Sequence, residues 1–325
     1  MAVDRPQRFL HLILTLWLFV ACAPKPTPSI IPAATPAPRL TETQTPTPTG
    51  TPPAPLTTIT PIPTETPERF WRRTPAPTAA TTRIPPKPTA TRPTGVRELH
   101  VPILMYHYIG APPANADAIR LDLSVYPERF EEQMAYFAKQ GYRTVKLQDV
   151  YDAVMKGAPL PVKPVVFTFD DGYDNAYTSA LPILQKYNFI GTFYIVTGFL
   201  GSPGYLTRDQ VVGLSKAGMD VQSHSVTHPS LKGKSADFLR QELVESKRTL
   251  ETMTGQPVNF FCYPAGQYDA LTIRILRESG YLSATTTQMG AWQNEALPYE
   301  WPRVRVRGSD QLRDLIKRMR ELGIR

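Results

Sequence analysis

The sequence predicts a parallel α/β barrel set behind a long structureless lead segment. Three observations predict it. From Val101 onward, short apolar runs alternate with amphipathic helical stretches. The number of repeats suits closure into a barrel, and the chain's polar motifs fall at the ends of the apolar runs.

Taken in order, Val101–Tyr106 (V-P-I-L-M-Y) reads as a buried strand. Pro127 then occupies a first helical position, Phe130, Met134, Phe137 and Ala138 follow at helical spacing, and Gly141 marks the stop. Arg143–Leu147 is expected as strand and Gln148–Met155 as a short helix. Val165–Phe169 is a near-continuous apolar strand that runs into Asp170-Asp171-Gly172. The alternation continues through helix Asn175–Tyr187, strand Gly191–Val196, helix Arg208–Ala217 and strand Met219–Gln222. Helix Ala236–Met253, strand Val258–Phe261 and helix Ala270–Ser279 come next. Strands Tyr281–Thr285 and Val304–Val306 and helix Asp310–Glu321 complete the series. Strands apolar along their whole length are covered on both faces, as in a parallel sheet wrapped by helices.

The organisation expected is residues 1–22 as a leader, 23–95 as a linker and 96–325 as the folded domain. Of the 35 prolines, 20 lie between Cys22 and Gly95 together with 20 threonines. That composition cannot bury enough surface to offset the entropy of ordering, so the linker is expected to be disordered. Its Thr-Pro units favour extended polyproline II, giving a reach on the order of 200 Å. The net charge of +8 also resides mainly here, with eight Lys/Arg against three Glu in residues 23–94. The folded part is close to neutral, and no basic helix or aromatic-interleaved basic patch points to nucleic acid.

At the N-terminus, Arg5 and Arg8 precede an apolar run from Phe9 to Ala21. Thirteen residues rise only about 20 Å as a helix, short of a bilayer core of about 30 Å, so the run reads as a secretory signal. The closing F-V-A-C resembles the lipobox of bacterial lipoproteins, with Phe19 where that family usually has Leu. The resemblance implies lipidation of Cys22, a membrane anchor and an extracytoplasmic location. The other cysteine, Cys262, is then a lone thiol in the domain.

Two adjacent carboxylates, Asp170 and Asp171, close a buried strand, a costly arrangement unless a metal, a cation or donors compensate. A solvated Asp-Gly turn is the plain alternative. His224 and His228 bracket H-S-V-T-H, a spacing that lets two imidazoles converge on one ion. The domain has only four histidines, which gives the pair weight against two unconnected ones. Two histidines and one carboxylate leave coordination positions for water and substrate, which suits catalysis better than a closed structural site. Asp171, His224 and His228 are therefore the expected ligands, and Asp170 the expected general base on water attacking an acetamide carbonyl. His107, at the end of the first strand, is the expected acid for the departing amine. A glycosidase pair is disfavoured, because its acids must lie about 5–9 Å apart across a bond and strand neighbours point apart.

These residues resemble a known family. T-F-D-D-G (Thr168–Gly172), H-S-V-T-H (His224–His228) and F-C-Y-P-A-G (Phe261–Gly266) look like the first three motifs of polysaccharide deacetylases of carbohydrate esterase family four. The resemblance implies the distorted (β/α) barrel of the NodB-homology type and a divalent metal, Zn²⁺ above all. It also implies an oxyanion held by a backbone N–H near Ala265. The family's third motif often carries an arginine that braces the base, and Cys262 stands there in this chain. The Asp-Trp motif has only Trp292 and Trp301 as candidates, and no histidine follows His228 to supply the late acid. L-M-Y-H (Leu104–His107) instead resembles the permuted poly-N-acetylglucosamine deacetylases, in which an early histidine takes that role. The expected substrate is thus an N-acetylated extracellular or cell-wall polysaccharide. Peptidoglycan, chitin or acetylxylan deacetylation, and an inactive carbohydrate-binding lipoprotein, are the alternatives.

Overall fold

The computed structural model describes residues 95–324; the expected leader, Cys22 and all of the expected linker before Gly95 lie outside the described residues. Seven strands form the frame: β1 Ile103–Tyr106, β2 Pro164–Phe169, β3 Gly191–Ile195, β4 Asp220–Ser223, β5 Phe260–Cys262, β6 Ser283–Met289 and β7 Trp301–Arg305. Each pairs in parallel with its successor, and β7 pairs back onto β1, so the sheet closes as a seven-stranded barrel in chain order. The expected α/β barrel is what the chain forms. Among the described residues, no helix is long and apolar enough to cross a membrane.

Alternation along the strands separates two cores. On β2, Val165, Phe167 and Phe169 face out and pack with Phe130, Met134 and Phe137 of helix Pro127–Lys139. Val166 faces in, where it joins Ile103, Tyr194, Phe260, Cys262 and Trp301. The same parity continues past the strand: 166, 168 and 170 share the inner side.

Register then sets which residues emerge together at the carboxyl ends. Tyr106 pairs with Phe169, so His107 and Asp170 are the next residues on neighbouring strands. Ser223 pairs with Phe261, so His224 and Cys262 stand side by side.

Some boundaries differ from expectation. The expected strand Arg143–Leu147 pairs only over Arg143–Thr144, and Leu147 already begins helix Leu147–Lys156. Leu147, Val150 and Val154 bury one face of that helix, and packing overrides the β-propensity of the run. The expected helix Asn175–Tyr187 forms as a π-helical turn, Ala176–Ala180, followed by helix Leu181–Lys186. Pro182, within its first turn, lacks the N–H that a regular helix would need there. The strand pair of Glu98–His100 with Trp292–Asn294 has no periodic signal in the sequence.

Gly191 opens β3 where a side chain has no room: an added Cβ would lie 2.9 Å from both Leu184 Cδ1 and Phe169 Cε2. Gly191→Ala should therefore overpack the outer core and cost about 1–3 kcal/mol, read as a lower denaturant midpoint with unchanged slope.

Candidate active site

Asp170 and Asp171 leave β2 toward different partners. Asp170 follows the inward parity, and its carboxylate is 3% exposed inside the barrel mouth. Arg303, projecting inward from β7, meets it with two parallel bonds, Nη1 to Oδ1 and Nη2 to Oδ2, each 2.7 Å. The other guanidinium donors go to the Thr286 carbonyl (2.9 Å), Thr168 Oγ1 (2.9 Å) and Cys262 Sγ (3.1 Å). All five N–H groups thus have an acceptor, as a fully buried cation requires. Burial alone would push the Asp170 carboxyl up; Arg303, with His107 and His224, outweighs it and holds the group below the ordinary carboxylate range.

Asp171 exits through a left-handed backbone, φ +73°, followed by Gly172 at +77°. The turn brings its Oδ1 to 3.2 Å from both His224 Nε2 and His228 Nε2. His224 Nδ1 lies 2.7 Å from the Cys262 carbonyl, a consequence of the β4–β5 register. A ring whose Nδ1 donates to a carbonyl presents Nε2 as a metal ligand. The three ligand atoms lie within 4.8 Å of one another. One carboxylate oxygen and two imidazole nitrogens fit Zn²⁺ or a similar divalent ion. Asp170, His224 and Cys262 also cluster within that distance, but Arg303 already engages both Asp170 oxygens. Burial would raise the Asp171 carboxyl, and its bonds to the two imidazoles hold it well below its usual range. For His224 burial acts downward, and the Cys262 and Asp171 partners outweigh it.

His107 follows β1, with Nε2 3.9 Å from Asp170 Oδ2. Burial lowers its proton affinity, partly opposed by the Asp170 and Asp171 charges. Ala265, at φ +49°, and Gly266, at +66°, form a tight left-handed turn after β5. A Cβ on residue 266 would lie 2.1 Å from Thr287 Oγ1. His107, Asp170, Asp171, His224, His228 and Ala265 all line one cavity of about 370 Å³. Every expected site residue within the described chain is therefore brought together. The two tryptophans are not: Trp301 is buried in the inner core, and Trp292 stacks on His100, so neither lines this cavity.

Two further residues hold the site and were not expected. Arg303 is one; from β7 it makes the bracing contact to Asp170 that the resemblance placed at position 262, where this chain has Cys262. Val304 and Val306 pack outward, so alternation already implied that Arg303 faces into the barrel. The other is Glu242, buried on helix Ala236–Thr254. Its Oε2 accepts from the Val226 and Thr227 amides (2.9 and 2.8 Å), and its Oε1 from Thr227 Oγ1 (2.6 Å). Together with the bond from the His228 amide to Ser225 Oγ (2.9 Å), this fixes the loop between the two histidines. A glutamate within the apolar stripe Leu239–Leu243–Leu250 was the available signal.

Comparison with known proteins agrees with this geometry. The family model described as polysaccharide deacetylase matches residues 157–284. YxkH of Bacillus subtilis, which its name places provisionally among polysaccharide deacetylases, is 30% identical, covering 63% of this chain and 71% of YxkH. The poly-β-1,6-N-acetyl-D-glucosamine N-deacetylase of Staphylococcus epidermidis is 25% identical, covering 60% and 71%. The structure of the Streptococcus pyogenes deacetylase PplD in complex with acetate superposes with TM-score 0.63 and 31% identity, over 68% of this chain and 98% of PplD.

Replacing Arg303 by Met should cost about 3–5 kcal/mol, because it leaves a buried carboxylate without its cation. The pH dependence should also change sign. With Arg303, the depressed Asp170 contributes stability above the unfolded carboxylate value of about 3.9, and this is lost as pH falls through the folded value. With Met, the carboxyl is raised, and its contribution is lost as pH rises; denaturant midpoints across pH measure both. Glu242→Ala should weaken retention of an added divalent ion at Asp171, His224 and His228 about 10–100-fold in chelator competition, with Glu242→Gln retaining most of the affinity.

Proposed function

Because this chain belongs to the polysaccharide deacetylase family, we propose that it hydrolyses N-acetyl groups on an exported poly-N-acetylglucosamine-like polymer. The observation that carries this reading is the division of labour around one cavity. Asp171, His224 and His228 converge on one side, and a bracketed Asp170 and a separate His107 stand beside them. A divalent ion held by the converging trio, Zn²⁺ by its donor set, would polarise the acetamide carbonyl and the attacking water.

Asp170 takes a proton from that water as its oxygen bonds to the carbonyl carbon. Arg303 keeps the carboxylate ionised and fixed in orientation, so it is ready to accept. The charge that develops on the carbonyl oxygen falls beside the Ala265 turn, where a backbone donor serves without any particular side chain. His107 gives a proton to the nitrogen as the C–N bond breaks, releasing acetate and the amine. Its burial makes it the stronger acid for that transfer. The early position of this histidine in L-M-Y-H, and the likeness to the S. epidermidis enzyme, favour poly-N-acetylglucosamine over other polymers. Export and lipidation at Cys22 complete the reading, with the Thr/Pro-rich stretch as the tether to the membrane.

The test is acetate release by the full-length chain from poly-N-acetylglucosamine, chitin oligomers, peptidoglycan and acetylxylan. Release should stop with chelator and return with Zn²⁺. Asp170→Asn should keep the metal and lose about 10²–10⁴-fold in turnover, and His107→Ala should lose turnover with metal intact. Chelator-resistant release, or near-normal turnover of Asp170→Asn, would overturn the mechanism.

A further inference from the structure

A second cavity, of about 480 Å³, adjoins the catalytic one and is assigned no role by the chemistry above. A single short helix, Ala118–Leu123, separates the two. Ile119 and Leu123, one turn apart, face the catalytic cavity; Leu121 and Asp122 face the second. The partition is therefore one helix thick. It is also firmly seated, because the Gly308 amide donates to the Asp122 carbonyl at 2.7 Å. A Cβ at residue 308 would lie 2.0 Å from the Leu121 carbonyl oxygen, so only glycine lets the chains approach this closely.

The segment is unusually apolar for its exposure. Ile119 is 69% exposed, Leu121 49% and Tyr126 40%, and these are three of the eight large hydrophobic side chains that stand exposed among the described residues. Clustered at the lips of two cavities, they mark a binding surface rather than scattered surface residues. The second cavity adds polar groups suited to hydroxyls. Arg129, which also lines this cavity, lies 5.6 Å from the Tyr126 ring centroid and donates to the Gly308 carbonyl. Both short bonds from Arg305 fall on Asp122 Oδ2, while Oδ1 lies 3.9 Å from Arg307 Nε, beyond hydrogen-bond distance. An aromatic face beside a carboxylate oxygen and the nearby Ser309 matches a sugar ring, which has an apolar C–H face and a rim of hydroxyls.

Resting on the deacetylase reading, we propose that this cavity is a second saccharide subsite, which holds a sugar further along the polymer whose reacting unit occupies the catalytic cavity. Tyr126 supplies the stacking face and Asp122 Oδ1 accepts a hydroxyl proton. Arg305, which lines the catalytic cavity and binds Asp122, ties the two positions together.

The experiment compares wild type, Tyr126→Ala and Tyr126→Phe as full-length Zn²⁺-loaded chains. The substrates are N-acetylglucosamine oligomers of increasing length and a small aryl acetate, which needs the catalytic cavity alone. Tyr126→Ala should raise KM for the longer oligomers roughly three- to tenfold, leaving kcat and aryl acetate hydrolysis unchanged. Tyr126→Phe, which keeps the ring, should behave as wild type. An unchanged KM at every length, or an equal loss on aryl acetate and oligomers, would overturn the subsite. Wild-type chain that cleaves aryl acetate but no saccharide would overturn the deacetylase reading itself.

Discussion

The site depends on a charge pair buried inside the barrel, Arg303 with Asp170. A carboxylate in that position would ordinarily take up a proton, and a guanidinium there would ordinarily be excluded from the core. Each is tolerated because the other is present in bidentate register and because Thr168, Thr286 and Cys262 absorb the remaining donors. The pair does more than neutralise charge. It links β2 to β7 across the barrel interior, so the carboxylate's orientation is set by two strands rather than by one flexible side chain. Asp171, the next residue, inherits a fixed starting point, and the two histidines are placed relative to it.

Backbone strain is concentrated in the same region. Of the six non-glycine residues with positive φ among the described residues, four are Asp171, Ser225, His228 and Ala265. Such conformations persist only where surrounding bonds over-determine them. Here those bonds are visible: Glu242 under the Val226–Thr227 amides, Ser225 under the His228 amide, and the Gly198 amide donating to the Val226 carbonyl at 2.8 Å. The loop carrying His224 and His228 is therefore held in shape by bonds of its own, which do not use the two imidazoles.

Much of this was legible in the sequence, and the reasons for success and failure are physical. The strands were readable because a parallel barrel buries both faces, giving apolar runs such as Val165–Phe169 with no interruption. Asp170, Asp171, His224 and His228 were readable because local spacing constrains them. The partners of Arg303 and Glu242 were not, since they lie 133 and about 15 residues away and the contacts exist only after closure. Cys262 pointed to the gap without showing what filled it. The short strands Glu98–His100 and Trp292–Asn294 were invisible for a similar reason: they exist through each other and through the His100–Trp292 stack.

The Cys262–Arg303 relation shows what the site requires. Residue 262 on strand β5 and residue 303 on strand β7 start from different places, yet both side chains reach Asp170 Oδ2, Cys262 Sγ at 3.5 Å and Arg303 Nη2 at 2.7 Å, because the inner faces of barrel strands converge. A small side chain at 262 is then more than an omission. The thiol sits 3.1 Å from Arg303 Nη2, in space that a second long cation on β5 would need. A long side chain there would displace Arg303 or place two guanidiniums against one carboxylate. What the chemistry constrains is therefore a charge at a point in the barrel mouth, which β7 supplies in this chain.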